Sequence, residues 1–201
     1  MVSKSRLGGF VDGIVAVVMT IMLLEFRIPE SGLLIDFLRN NLVYMIAYIL
    51  SFIYVTTSWF NQQYMLTNAE RVTRRIYVST MLWILSLSLL PVLAAWTGRT
   101  IDLFDHLGST APKTPALLFM AMIGLWGLAY VQMSKAYILD NPPHVAEKIK
   151  AMEVLHVLNH PIWILVIFLA MVATYFYPPF VLIYTAGEMI WSMLHSKNEQ
   201  R

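Results

Sequence analysis

Apolar runs too long for a soluble core decide what this chain can become. Segments at about residues 8–27, 41–64, 77–97, 115–138, 155–177 and 179–195 are dominated by aliphatic and aromatic side chains. About 20 such residues in a helix span the ~30 Å of hydrocarbon in a bilayer. Only 13% of the 201 residues are charged and 58% are hydrophobic, whereas a soluble domain carries about 25% charged residues. Such a chain could not cover its own surface in water. The expectation is an all-α integral membrane protein, a single domain over residues 1–201 with six transmembrane helices.

The links between runs are short and polar. Pro29-Glu30-Ser31-Gly32 ends the first, and Thr67 to Arg75 is a basic connection. Gly98 to Pro115, with Asp102, Asp105, Gly108 and Pro112, is predicted to be the longest loop. Asp140-Asn141-Pro142-Pro143 precedes a charged stretch, His144 to Glu153, that reads as a short amphipathic helix. Pro178-Pro179 reverses the chain between the last two runs, because proline ends one helix and suits the first turn of the next. With six spans and an inner N-terminus, the inner segments hold Lys4, Arg6, Arg71, Arg74, Arg75, Lys135, Lys148, Lys150, Lys197 and Arg201. The outer ones hold only Arg27, Arg39, Arg99 and Lys113. That bias predicts a multi-pass protein of the cell membrane with both termini cytoplasmic. Tyr64, Trp96, Tyr177 and Trp191 stand where interfacial anchors belong. Asp12 and the Glu25-Phe26-Arg27 ending, without a small-residue cleavage site, mark the first run as a retained helix and not a signal peptide.

Several chemistries are excluded or disfavoured. With no cysteine there is no disulfide, thiolate metal site or cysteine nucleophile. A net charge of +2 and the lack of a basic cluster among aromatics give no footing for nucleic acid. No G-x-S-x-G setting surrounds any serine, so the chain is not read as an enzyme. Of the histidines His106, His144, His156, His160 and His195, only His156 and His160 have the i, i+4 spacing of metal ligands. They lack the H-E-x-x-H glutamate and read as interfacial or packing residues; no metal or other cofactor is expected. The 13 methionines are dispersed.

The first run carries the chemistry. A charge within a membrane helix costs at least about 2.5 kcal/mol on insertion scales, so Asp12 must face protein or water. Arg6 and Asp12, six residues apart at 100° each, lie on different sides of the helix and are expected to bond to other helices. Val17, Ile21 and Leu24, at i, i+4 and i+7, form one apolar face bordered by Thr20, about 140° from Asp12. Taken alone, that face reads as lipid contact or packing. Glu25 and Arg27 flank the outer end, where four copies of Glu25 near a pore mouth would concentrate cations, as a solvated helix end would also explain them. Glu188, with Tyr184 and Ser192 at i±4, reads as an interhelical hydrogen bond or an ion relay.

Arg6-Leu7-Gly8-Gly9-Phe10-Val11-Asp12 resembles the R-x-x-x-F-S-D signature of the lysosomal and bacterial potassium channel family called transmembrane protein 175. Arg6, Phe10 and Asp12 match, and Val11 replaces the serine. Trp59-Phe60-Asn61-Gln62-Gln63 resembles the W-x-N-H-H ending of that family's second helix, with glutamine at both histidine positions. Ser88-Leu89-Leu90-Pro91 resembles its third. The likeness runs over about residues 6–92 and rests on topology beyond them. The resemblance implies a homotetramer of single-repeat, six-helix subunits around a pore lined by the first helix. It places the constriction at Val17, Ile21 and Leu24, a selectivity-related threonine at Thr20, and a polar network at Arg6, Phe10, Asp12, Trp59, Asn61 and Gln62. It implies K⁺ as the permeant ion, other monovalent cations and the lipid bilayer being the remaining partners. Glutamine cannot titrate near neutral pH, so proton sensing by those histidines has no counterpart here. No T-V-G-Y-G filter is present, and an apolar ring must discriminate through the cost of dehydration. A proton-coupled secondary transporter or proton-permeable channel using Asp12 and Glu188 is the alternative, and a non-conducting scaffold a third.

Overall fold

The computed structural model describes residues 3–195, apart from the side chains of residues 22, 25, 102, 104–106, 109 and 193–195. Lys197 and Arg201 lie outside the described residues, as do the side chains of Glu25, His106 and His195. The order is α1 (Lys4–Ile21), a 3-10 turn (Met22–Glu25), α2 (Leu34–Asn68), α3 (Arg74–Leu107), a 3-10 turn (Gly108–Thr110), α4 (Thr114–Asp140), α5 (Pro143–Lys150), α6 (Glu153–Asn159), α7 (Pro161–Phe176) and α8 (Phe180–His195). α2, residues 74–101 of α3, and α4 are each long and apolar enough to cross a membrane, and the bent pair α6–α7 makes a fourth candidate. The chain is a multi-pass, all-helical membrane protein.

Two expectations about helix limits need correction. Residues 98–107, read as loop, continue α3 to Leu107. Gly98 there is a packing residue, its Cβ position 3.5 Å from Ala47 and from the Tyr44 backbone, and Thr97 and Ile101 are buried with it. Close approach of α3 to α2 explains that glycine better than a break does. The run at 155–177 is two helices, bent by 72°. His160 is extended, at φ −76° and ψ 131°, and Pro161 opens α7. A proline disfavours helical backbone in the residue before it, so hydropathy alone overlooked the break. Pro91, by contrast, sits buried within α3.

α3 and α4 form the centre, and α1, α2, α7 and α8 pack around them. Trp83, Tyr130, Tyr137, Met120 and Met133 fill the interior. Trp126 meets Tyr54 of α2 edge-on at 4.7 Å between centroids. Three buried hydroxyls are satisfied within their own helices: Ser134 donates to Tyr130 O, Thr174 to Ala170 O and Thr185 to Val181 O at 2.7–2.8 Å. At one end a polar latch joins three helices. Asn141 Oδ1 accepts from the backbone N–H of Glu70 and Arg71. Arg71 Nε donates to Asp140 O, and the Asp140 carboxylate pairs with Arg75 and accepts from Thr73.

Gly124 and Gly127 let α7 close on α4. A Cβ at Gly127 would fall 2.4 Å from Trp163 Cζ2 and 2.6 Å from Cη2. Gly127→Ala therefore forces a buried indole to move. Overpacking of this kind costs about 1–3 kcal/mol. A lowered melting temperature in detergent is the expected result, and an unchanged one would mean that the Trp163 ring has room to turn.

Candidate functional site

α1 has two faces. Leu7, Val11, Val15 and Val18 recur at nearly helical period and are buried against the rest of the chain, Leu7 and Val11 completely. Phe10, Val17, Ile21 and Leu24 lie on the opposite side, with Val17 59% and Leu24 84% exposed. Packing among the described residues leaves much of this second face uncovered. The change to 3-10 geometry after Ile21 bears on its straightness. In a 3-10 turn residues i and i+3 eclipse, so Leu24 stays directly in line with Ile21. At about 2.0 Å per residue, the turn also sets those two side chains about 6 Å apart along the axis. Thr20 borders this face, and its hydroxyl donates to Ala16 O (3.0 Å) and Val17 O (3.2 Å). The proton is thus directed at the helix, and the oxygen lone pairs remain for an outside cation.

Three sets of contacts fasten α1 to α2. Lys4 Nζ donates to Thr67 O (2.7 Å) and Ala69 O (2.8 Å), placing a cation on the carbonyls that end α2. Midway, Asp12 Oδ1 accepts from Trp59 Nε1 (2.8 Å) and Gln63 Nε2 (2.6 Å). At the far end Asn41 brackets Arg27, accepting from its N–H (2.9 Å) and donating to its carbonyl (2.8 Å) as well as to Phe37 O. Phe26 caps that end against Phe37, Tyr44 and Tyr48.

The six residues grouped as a polar network are not gathered in one place. Asp12 and Trp59 meet. Asn61 and Gln62 are buried on other sides of α2, and Gln62 stands near Tyr137 and Thr80. The Arg6 side chain is exposed and, among the described residues, no ion pair joins it to Asp12. Phe10 faces outward in line with Val17, away from Asp12. Gln63, absent from the expected set, takes the place beside Asp12. Spacing brings both Gln62 and Gln63, at i+3 and i+4, to the side of Trp59, and it is Gln63 that reaches Asp12 while Gln62 is buried. Lys4 carried no comparable signal, since its acceptors are backbone carbonyls.

A second concentration of polar groups lies at the α6–α7 break. A cavity of about 650 Å³ opens there, lined by His156 and His160, Trp163 of α7, and Tyr184, Glu188 and Trp191 of α8. Glu188 Oε2 is buried and has no hydrogen-bond partner among the described residues.

Residues 6–91 match the family model for the endosomal/lysosomal potassium channel TMEM175. A potassium channel from Chryseobacterium sp. (strain P1-3) is 28% identical over 194 residues, covering 94% of this chain and 92% of the relative. The crystal structure of a lysosomal potassium-selective channel TMEM175 homolog from Chamaesiphon minutus superposes with a TM-score of 0.76, covering 96% of this chain and 98% of that one. At 15% identity that likeness speaks for the fold.

Proposed function

We propose that this chain is a member of the TMEM175 potassium-channel family and conducts potassium ions through a pore lined by α1 in a homotetramer of six-span subunits. The observation that carries the reading is the outward face of α1, an aliphatic stripe on a helix whose other face is fully used in packing. On a four-fold axis, Val17, Ile21 and Leu24 make stacked apolar rings and Thr20 adds four hydroxyl oxygens. Such rings exclude water when narrow and admit ions only when they widen. K⁺ sheds its water at lower cost than Na⁺, which gives a modest preference for K⁺. No cofactor enters the mechanism.

Six spans follow if α1, the α6–α7 pair and α8 are counted with the three long helices. The 18 residues of α1 and the four of its 3-10 turn together rise about 35 Å, enough for the hydrocarbon. The basic bias then sets both termini in the cytoplasm of a cell-membrane protein, as one domain. Asp12, held by Trp59 and Gln63, fixes the lining helix to the wall and takes no direct part in permeation; Asn61 and Gln62 pack elsewhere in that wall.

The broken α6–α7 helix beside Glu188 favours a second reading, a carrier, because carriers place sites at interrupted helices. Recordings from the purified chain in planar bilayers under a K⁺ gradient separate the two. Discrete unitary currents are expected. Slow flux without unitary events would point to the carrier and silence to a scaffold, and a particle with α1 at its periphery would remove the pore assignment.

A further inference from the structure

We propose that the cavity at the α6–α7 break binds a lipophilic amine in its protonated form, the ammonium paired with Glu188 and the hydrocarbon lying along Ile162 and Val166 of α7. The volume of about 650 Å³ suits a ligand of drug size. Its walls are almost entirely apolar and aromatic. No Lys or Arg pairs with Glu188 among the described residues; Tyr54 of α2 and Tyr184 of α8 are near it, and His156 and His160 line the same cavity. A carboxylate in apolar surroundings is stable as an anion only with a cation beside it. No lysine or arginine among the described residues supplies one, and the cavity leaves room for one that brings its own apolar tail.

Further features fit an ammonium. His156 Nδ1 lies 3.2 Å from Met152 O, and with the ring proton donated there a neutral imidazole presents Nε2 as an acceptor on a ring lining the cavity. Trp163 and Trp191 present aromatic rings, on which a desolvated cation is favoured. A bare metal ion is not favoured, since no three carboxylate or imidazole groups gather among the described residues. An anionic headgroup would meet the Glu188 carboxylate.

The test is photolabelling of the full chain in neutral-lipid nanodiscs by a diazirine-bearing dodecylamine, mapped by peptide mass spectrometry. Label is expected in α7 and α8, displaced by plain dodecylamine at concentrations at least tenfold below those needed with dodecanol. Glu188→Gln should erase that tenfold advantage. Gly187→Leu should suppress labelling while leaving Glu188 in place, because a side chain at Gly187 meets nothing within 4 Å and enters the cavity. Size exclusion establishes that each variant assembles, and if Glu188→Gln does not, Gly187→Leu and the amine-to-alcohol ratio decide. Equal displacement by amine and alcohol would reduce the cavity to a groove for acyl chains and overturn the proposal. So would undiminished labelling in Gly187→Leu, or an unchanged amine preference in Glu188→Gln.

Discussion

Ile21→Ala and Leu24→Ala are expected to raise the unitary K⁺ conductance several-fold and to bring Na⁺ permeability close to that of K⁺. Each substitution removes aliphatic carbons from every subunit of a four-fold ring, so the narrow section widens in all directions at once. A wider ring admits ions with more of their water retained, and discrimination based on dehydration falls with it. The effects should be largest at Leu24, whose side chain is the most exposed of the stripe. Little stability should be lost at Leu24, which is 84% exposed, and more at Ile21, which is 44% exposed. Val15→Ala is the matched control: that valine is buried on the opposite face, and its loss should lower the melting temperature without changing ion preference. Single-channel conductance and reversal potentials under mixed K⁺/Na⁺ gradients decide the matter. Unchanged values in both constriction variants would place the pore elsewhere.

That stripe was visible in the sequence because it depends on spacing, and spacing survives folding. Whether it faced lipid, core or water did not depend on spacing, and three-dimensional burial had to remove the core. The alignment of Leu24 with Ile21 was illegible for a different reason: it comes from a local change to 3-10 backbone that no residue preference announces. The middles of the long helices were legible, since twenty apolar residues leave few alternatives, but α2 and α3 both run well beyond the expected limits. The limits failed where one residue type had two uses. Gly98 looked like a loop and is a helix contact, and Pro161 vanished into an apolar run although it breaks the helix. The α6–α7 cavity was beyond reach altogether. It requires Glu188 and two histidines, distant in sequence, to be brought together by that bend.

Asp12→Ala is expected to lower the stability of the assembled protein by about 1–3 kcal/mol. The basis is the worth of interhelical hydrogen bonds in membranes, about 0.6 kcal/mol on average and about 1.7 at most. One carboxylate oxygen holds two donors of α2, Trp59 Nε1 and Gln63 Nε2, and both would be left without their acceptor. Arg6 makes no such contact with Asp12 among the described residues, so no cation is stranded by the change. Asp12→Asn separates clamp from transport. Asparagine keeps an oxygen where Oδ1 stands, so both bonds can re-form, weaker by the loss of charge. The variant should retain most of the melting temperature and carry K⁺ currents near those of the unchanged chain. If Asp12 served instead as the coupling carboxylate of a carrier, Asp12→Asn would abolish flux while the protein stayed fully folded. Melting temperature and K⁺ current measured on the same preparation therefore decide between a residue that holds the pore helix in place and one that handles the ion.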